Sequence, residues 1–226
     1  MAEPGRAAVR LVLFGAPGVG KGTQAQGLQR RFAAPHVSTG DMLRAAIREG
    51  TPLGRQARAV VERGELVPDA LVSALVAERL GGDEVRDGFI LDGYPRTVRQ
   101  AADLDAALAT RGATIEVVVN LEVPAAEIVE RLAGRRSCPS CGATYHLRFQ
   151  PPKAGEACDR CGGALTQRLD DAPDVVQGRL RVYEAQTAPV LEHYRGRGLL
   201  VDVDGRGTPD EVEGRIVEAV ERRRRS

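Results

Sequence analysis

Residues 15–23 read GAPGVGKGT and follow directly on the apolar run Leu11-Val12-Leu13-Phe14. The order is close to the phosphate-binding pattern G-x-x-x-x-G-K-[ST], in which backbone N–H groups cradle phosphates, the lysine bridges the outer ones and the last hydroxyl serves Mg²⁺. Gly15, Gly20 and Lys21 fit, but Gly22 stands at the hydroxyl position and Thr23 comes one residue late. A strand, a glycine loop and a helix in succession favour an anion site over a mere tight turn, because the helix N-terminus adds partial positive charge. Mg²⁺ sheds its waters reluctantly, so without that hydroxyl it is expected to arrive with the nucleotide, held by phosphates and water. Asp92, closing the apolar run in FILDGYPR, is placed to accept from such a water; an aspartate there also serves as a turn former.

The cysteines carry a second chemistry. Cys138 with Cys141, and Cys158 with Cys161, form two C-x-x-C pairs with the spacing of a four-thiolate Zn²⁺ ribbon. A metal closed by four thiolates has no position for water, so it is expected to be structural, stapling an insertion too small for a core of its own. Two disulfides and a DNA-binding zinc ribbon are the competing readings.

Arginine is plentiful, whereas Lys21 and Lys153 are the only lysines, so an ammonium inside the glycine loop points to a wanted point charge. Arg96 follows Asp92 by four residues, and Arg44 lies in STGDMLR after another strand end. Arg131 and Arg135, spaced i,i+4, are expected on one helix face leading into the cysteine insertion. Arg168 leaves that insertion beside Asp170 and Asp171, and Arg179 sits on the next helix. Singly, each reads as a solvated surface cation; jointly, they read as a clamp. Phosphoryl transfer spreads charge over several oxygens and is catalysed mostly by positioning and electrostatics, work that suits arginine's planar fork. His36, His146 and His193 lie outside these motifs, so no base for an alcohol is evident. An already ionised phosphate needs none, which points to a nucleoside monophosphate as acceptor.

The elements that position these groups follow from hydrophobic periodicity. Short apolar runs predict strands at 11–14, 36–38, 89–91, 116–121 and 199–203. Helical patterns occupy 21–32, 42–49, 53–63, 69–80, 98–111, 125–135, 174–194 and 210–223. The alternation predicts an α/β fold, a parallel sheet flanked by helices, with ligands beyond the carboxyl ends of its strands. Successive helices between 42 and 80 predict a small helical insertion, and 137–167 a second insertion around the cysteines. A chain of 226 residues suits one core with such insertions. Its net charge of +1 gives no overall pull toward nucleic acid or membrane. No apolar stretch approaches the roughly 20 residues of a membrane span. The run after Arg6 and Arg10 is too short for a signal peptide, so a cytoplasmic location is expected. The closing ERRRRS suits a helix end, with nucleic-acid binding as its alternative.

Together GAPGVGKGTQA, STGDMLR, FILDGYPRT, GRR and RLDD resemble the adenylate kinase family over nearly the whole chain from Leu11. The G-K-G-T variant is typical of nucleoside monophosphate kinases, so Gly22 resembles a family feature rather than damage. The resemblance implies a P-loop core of residues 1–37, 68–133 and 172–226, a monophosphate-binding part at 38–67, and a zinc-ribbon-like lid at 134–171. It implies ATP contacts from Gly18, Val19, Gly20, Lys21, Gly22 and Thr23, with Arg131 against adenine and Arg135, Thr144, Tyr145 and Gly207 also beside ATP. It implies AMP contacts from Thr39, Arg44, Glu65, Leu66, Val67, Gly93, Tyr94, Pro95, Arg96 and Gln100, with Arg168 and Arg179 at the phosphates. Lys21, Asp92, Arg96, Arg135, Arg168 and Arg179 would form the catalytic set. The implied reaction is reversible transfer from Mg·ATP to AMP, giving two ADP, by a monomer that engages neither nucleic acid nor membrane. A kinase for UMP, CMP or dTMP is the near alternative; a partner-dependent P-loop ATPase with a nucleic-acid-binding ribbon is the distant one. Tyr94 and Ala172-Pro173 depart from the family's wording. Tyr94 is expected to pack as an aromatic, and Pro173 to stiffen the exit of the lid.

Overall fold

The computed structural model describes residues 8–225; Arg6 and Ser226 lie outside them. Strands β1 (Arg10–Phe14), β2 (His36–Ser38), β3 (Phe89–Asp92), β4 (Val117–Glu122) and β7 (Leu200–Asp204) form the parallel sheet among the described residues, in the order β2-β3-β1-β4-β7. Side chains alternate across a strand, and β1 divides accordingly: Leu11 and Leu13 enter one apolar core with Leu28, Val119 and Ile216, while Val12 and Phe14 enter another with Leu91, Leu104 and Val118. Burial on both faces is what the uninterrupted apolar runs encode.

Helices α1 (Lys21–Phe32), α2 (Thr39–Glu49), α3 (Pro52–Glu62), α4 (Asp69–Leu80), α5 (Val98–Ala109), α6 (Ala125–Ala133), α7 (Pro173–Val182), α8 (Ala188–Arg195) and α9 (Pro209–Arg225) cover the sheet and its insertions. Hydroxyl caps start four of them: Ser38 accepts from the Asp41 N–H, Thr51 from Gly54, Thr97 from Gln100 and Thr208 from Glu211. In register, Asp92 lies opposite both Leu13 and Ser38, and Phe14 opposite Asn120. The carboxyl ends of four strands therefore meet at one edge, where successive connections diverge to either side of β1.

Three expectations need correction. Helix α6 stops at Ala133 with Gly134 as its cap, so Arg135 leaves the helix and opens β5 (Arg135–Ser137); it does not share a helix face with Arg131. Strand β5 pairs antiparallel with β6 (Thr144–His146) inside the cysteine insertion, where no strand was expected. The helix expected over 174–194 is interrupted by a wider turn at Tyr183–Thr187 before α8. Pro189 lacks an N–H and its ring crowds the carbonyl four residues back, which forces the change of register. The basic C-terminus behaves as a helix end: Arg222 pairs with Glu218 at 2.5 Å and Arg224 with Glu116 at 3.2 Å. No helix among the described residues is long and apolar enough to cross a membrane.

Candidate active site

The loop between β1 and α1 folds as its glycines dictate. Gly15 has a φ of +130°, and a Cβ there would sit 2.6 Å from the Leu121 carbonyl oxygen; Gly18, at +87°, would press a Cβ into Leu132. Such backbone is open to glycine and closed to other residues. Lys21 curls back over the loop and donates to the carbonyls of Gly15 (2.7 Å) and Ala16 (3.0 Å). Burial pushes its pKa down to about 8; Asp92 pulls upward, and Arg96, Arg179 and Arg135 add to the depression.

Asp92, at the end of β3, has Oδ2 3.4 Å from His36 Nε2 on the adjacent strand. Burial works to raise its pKa, but His36, Lys21 and Arg96 outweigh it and hold the carboxyl below the usual range. A Cβ on Gly22 would lie 3.6 Å from the same carboxylate oxygen, so Asp92 faces the place where the missing hydroxyl would stand.

Around this loop a cleft of about 620 Å³ gathers Lys21, Arg44, Arg96, Arg131, Arg135, Arg168 and Arg179. Buried Asp171 holds two of the arginines: Arg135 forks onto it, Nε donating to Oδ2 at 2.7 Å and the second arm to Oδ1, while Arg179 lies 3.3 Å from Oδ1 and 2.9 Å from Asp170. Arg168 donates to Ser137 Oγ (2.7 Å) and Thr144 Oγ1 (3.3 Å), and Arg96 to the Gly93 carbonyl (2.8 Å). Burial, then repulsion from Arg44 and Arg135, pushes Arg168 down to about 9; burial, then Arg179, brings Arg96 to about 10. Arginine keeps its proton regardless, so these shifts signify desolvation and repulsion that a bound polyanion would relieve.

The four cysteine sulfurs lie within 4.8 Å of one another, with Cys138 and Cys161 at 3.4 Å and Cys141 and Cys158 at 3.5 Å. All four are free, and these separations are well beyond the roughly 2.05 Å of a disulfide. Four thiolates at about 2.3 Å from a central metal would be about 3.8 Å apart, so the cluster fits a tetrahedral ion. Each pair sits in the same turn: Gly142 N–H donates to the Cys138 carbonyl at 3.0 Å and Gly162 N–H to the Cys158 carbonyl at 2.8 Å. The Tyr145 hydroxyl, 3.4 Å from Cys158 Sγ, holds that thiol below its usual range.

A sequence model of adenylate kinase matches residues 13–199. The chain is 50% identical over 214 residues to an adenylate kinase of Carboxydothermus hydrogenoformans, covering 95% of this chain and all of that protein. It is 54% identical over 197 residues to one from Moorella thermoacetica (87% and 91% covered) and 49% over 212 residues to one from Acidothermus cellulolyticus (94% and 98%). The chain belongs to the adenylate kinase family.

Most residues expected at an adenylate kinase site border the cleft: Gly18, Val19, Gly20, Lys21, Gly22, Thr23, Thr144, Tyr145 and Gly207 of those expected beside ATP, and Arg44, Leu66, Gly93, Tyr94, Pro95 and Arg96 of those expected beside AMP. Arg131 reaches it from α6, donating to the carbonyls of Val19 (3.1 Å) and Gly205 (3.0 Å). Thr39, Glu65, Val67 and Gln100 do not line it. Thr39 is buried and donates to the Gly93 carbonyl, Glu65 turns outward to Arg63, Val67 packs into the core beneath α4, and Gln100 is buried behind Arg96. Tyr94 packs as expected of an aromatic, buried in the second core.

Two histidines set aside on sequence grounds do border the cleft. Pairing of β2 with β3 brings His36 to Asp92, and pairing of β5 with β6 brings His146 over Gly134; only His193 lies away, against Asp105. The missing base therefore gives no argument for a phosphate acceptor. Asp170, Asp171 and Ser137, which hold the clamp, were not singled out by role. The signal for the acids was their run after Arg168; that for Ser137 was absent.

Proposed function

We propose that the chain transfers the terminal phosphoryl group of Mg·ATP reversibly to AMP, giving two ADP. The observation that carries this reading is the convergence of Lys21, Arg44, Arg96, Arg135, Arg168 and Arg179, from widely separated segments, on one cleft around a glycine loop. The loop N–H groups and Lys21 take the ATP phosphates, with adenine against Arg131. Arg44 and Arg96 take the phosphate of AMP. Arg135, Arg168 and Arg179 close on the group in flight, where they offset charge on its equatorial oxygens. Mg²⁺ arriving with ATP would neutralise further phosphate charge, and Asp92, ionised opposite Gly22, is the residue to hold its water. Arg48 donates to the Pro139 carbonyl at 3.1 Å, a contact between residues 38–67 and 134–171 that fits two moving parts closing over the reactants and keeping out water. Zn²⁺ is the proposed occupant of the cysteine cluster. A monomer working in the cytoplasm on free nucleotides is the simplest form of the proposal.

The test is a panel of monophosphates with Mg·ATP. AMP is expected to exceed UMP, CMP and dTMP in kcat/KM by about 100-fold, with two ADP formed per AMP consumed. A pyrimidine acceptor served better than AMP, or ATP consumed without any monophosphate, would contradict it.

A further inference from the structure

We infer that Asp69 is a specificity-determining positioning residue, which fixes the direction faced by the side-chain amide of Gln100 and so favours a 6-aminopurine over a 6-oxopurine monophosphate. The inference rests on the AMP site proposed above and on the contact with AMP that the family resemblance implies for Gln100, which stands buried behind Arg96, just outside the lining of the cleft.

Gln100 lies in the first turn of α5 and is 2% exposed. Both ends of its amide meet partners of fixed polarity. The Arg96 backbone N–H donates to Oε1 at 2.7 Å, and Nε2 donates to Asp69 Oδ1 at 2.8 Å. A peptide N–H cannot accept a hydrogen bond, and a carboxylate cannot donate one. Turning the amide over would set NH₂ against N–H and a carbonyl against a carboxylate, two unfavourable pairs at a residue buried from solvent.

Asp69 is itself held in place. Its second oxygen accepts from Thr97 Oγ1 at 2.8 Å, and Thr97 Oγ1 accepts the Gln100 N–H at 3.1 Å, closing a ring that keeps the carboxylate from swinging away. Its place in the first turn of α4 also suits a negative charge.

An amide so engaged has one N–H and one oxygen lone pair left to offer. Adenine presents an amino donor next to a ring-nitrogen acceptor and matches that order. Hypoxanthine and guanine present a carbonyl acceptor next to a ring N–H, the reverse, and meet acceptor with acceptor and donor with donor. A freely turning glutamine would serve both kinds of base; a fixed one serves the first. Asp69 needs no contact with the nucleotide to act in this way.

Asp69→Ala, Asp69→Asn and Gln100→Ala would be assayed as the full chain with saturating Mg·ATP and either AMP or IMP. The ratio of kcat/KM for AMP to that for IMP is expected to fall by about tenfold in Asp69→Ala, the scale of one buried hydrogen bond. The fall should come through KM for the monophosphate, with KM for ATP unchanged. Asp69→Asn, which keeps the volume and can present either an acceptor or a donor, should lie between it and the parent. A ratio that stays constant in both Asp69 variants while activity on both acceptors drops together would be the mark of a merely structural contact and overturns the inference. If Gln100→Ala erases the preference and the Asp69 variants retain it, the base contact stands and Asp69 does not act through it. If Gln100→Ala itself retains the preference, the reading of the base site fails, and this inference with it.

Discussion

Methionine at position 21 is expected to lower turnover by about a thousandfold, the upper range for removal of one preorganised charge-stabilising donor. The Lys21 ammonium is anchored over the glycine loop by the carbonyls of Gly15 and Ala16, where the proposed ATP would place its phosphates, and no second lysine borders the cleft. Methionine keeps the apolar stem, and losing a buried ammonium relieves desolvation, so the melting temperature should change little. The same residue sets a pH dependence. An amine depressed to about 8 by burial is charged below that pH and neutral above it, so kcat/KM for ATP should decline as pH rises through about 8. A polyanion bound beside Lys21 raises its pKa, so the decline in kcat should lie at higher pH, and the Lys21→Met variant should lack this limb. A coupled assay across pH 6–10 (roughly the span set by these pKa values) checks both. Near-normal turnover in the variant would remove Lys21 from its assigned role.

Removing the metal proposed for the cysteine cluster is expected to have the second largest effect, on stability. The apolar cluster around the cysteines is small, comprising Cys138, Tyr145 and Cys158 with partly buried Cys141, Ala143 and Leu165. Binding free energy for a four-thiolate ion is folding free energy for such a segment. About one metal per chain should be found in the purified protein. Its chelation should lower the melting temperature by about 10 °C, given 2–4 °C per kcal/mol at this size. The two large cores share no residue with this cluster, so the sheet should survive the loss. Affinity for ATP should fall with it, because Ser137, beside Cys138, holds Arg168, and Tyr145 joins Cys158 to the wall of the cleft. Metal-free protein with oxidised cysteines and an unaltered melting curve would overturn the assignment.

What could be read in advance was local. The runs at β1, β3 and β4 are short, apolar and closed by turn residues, so both their type and the edge where they end were legible. The glycine loop and the cysteine pairs carry their chemistry in their spacing. Long-range pairing was not legible. Arg-Arg-Ser and Thr-Tyr-His have no apolar alternation to mark β5 and β6, and so Arg135 was placed on a helix face when strand pairing aims it at Asp171. Arg-Leu-Asp-Asp announces a charged turn but not that Asp171 goes inward to hold two arginines while Asp170 stays partly exposed. His36 reaches Asp92 only through the order of strands in the sheet. Pro189 was visible in the sequence, yet a proline near a helix start and one that shifts the register within a longer helix look alike until the neighbouring turn is seen.

The central claim is that these cations hold two nucleotides with their phosphates face to face. A crystal structure with Mg²⁺, AMP and a non-hydrolysable ATP analogue tests it most directly. The account predicts the terminal phosphate of the analogue against Lys21, Arg135, Arg168 and Arg179, pointing at an AMP phosphate held by Arg44 and Arg96. Nucleotides bound elsewhere, with those side chains facing solvent, would contradict it.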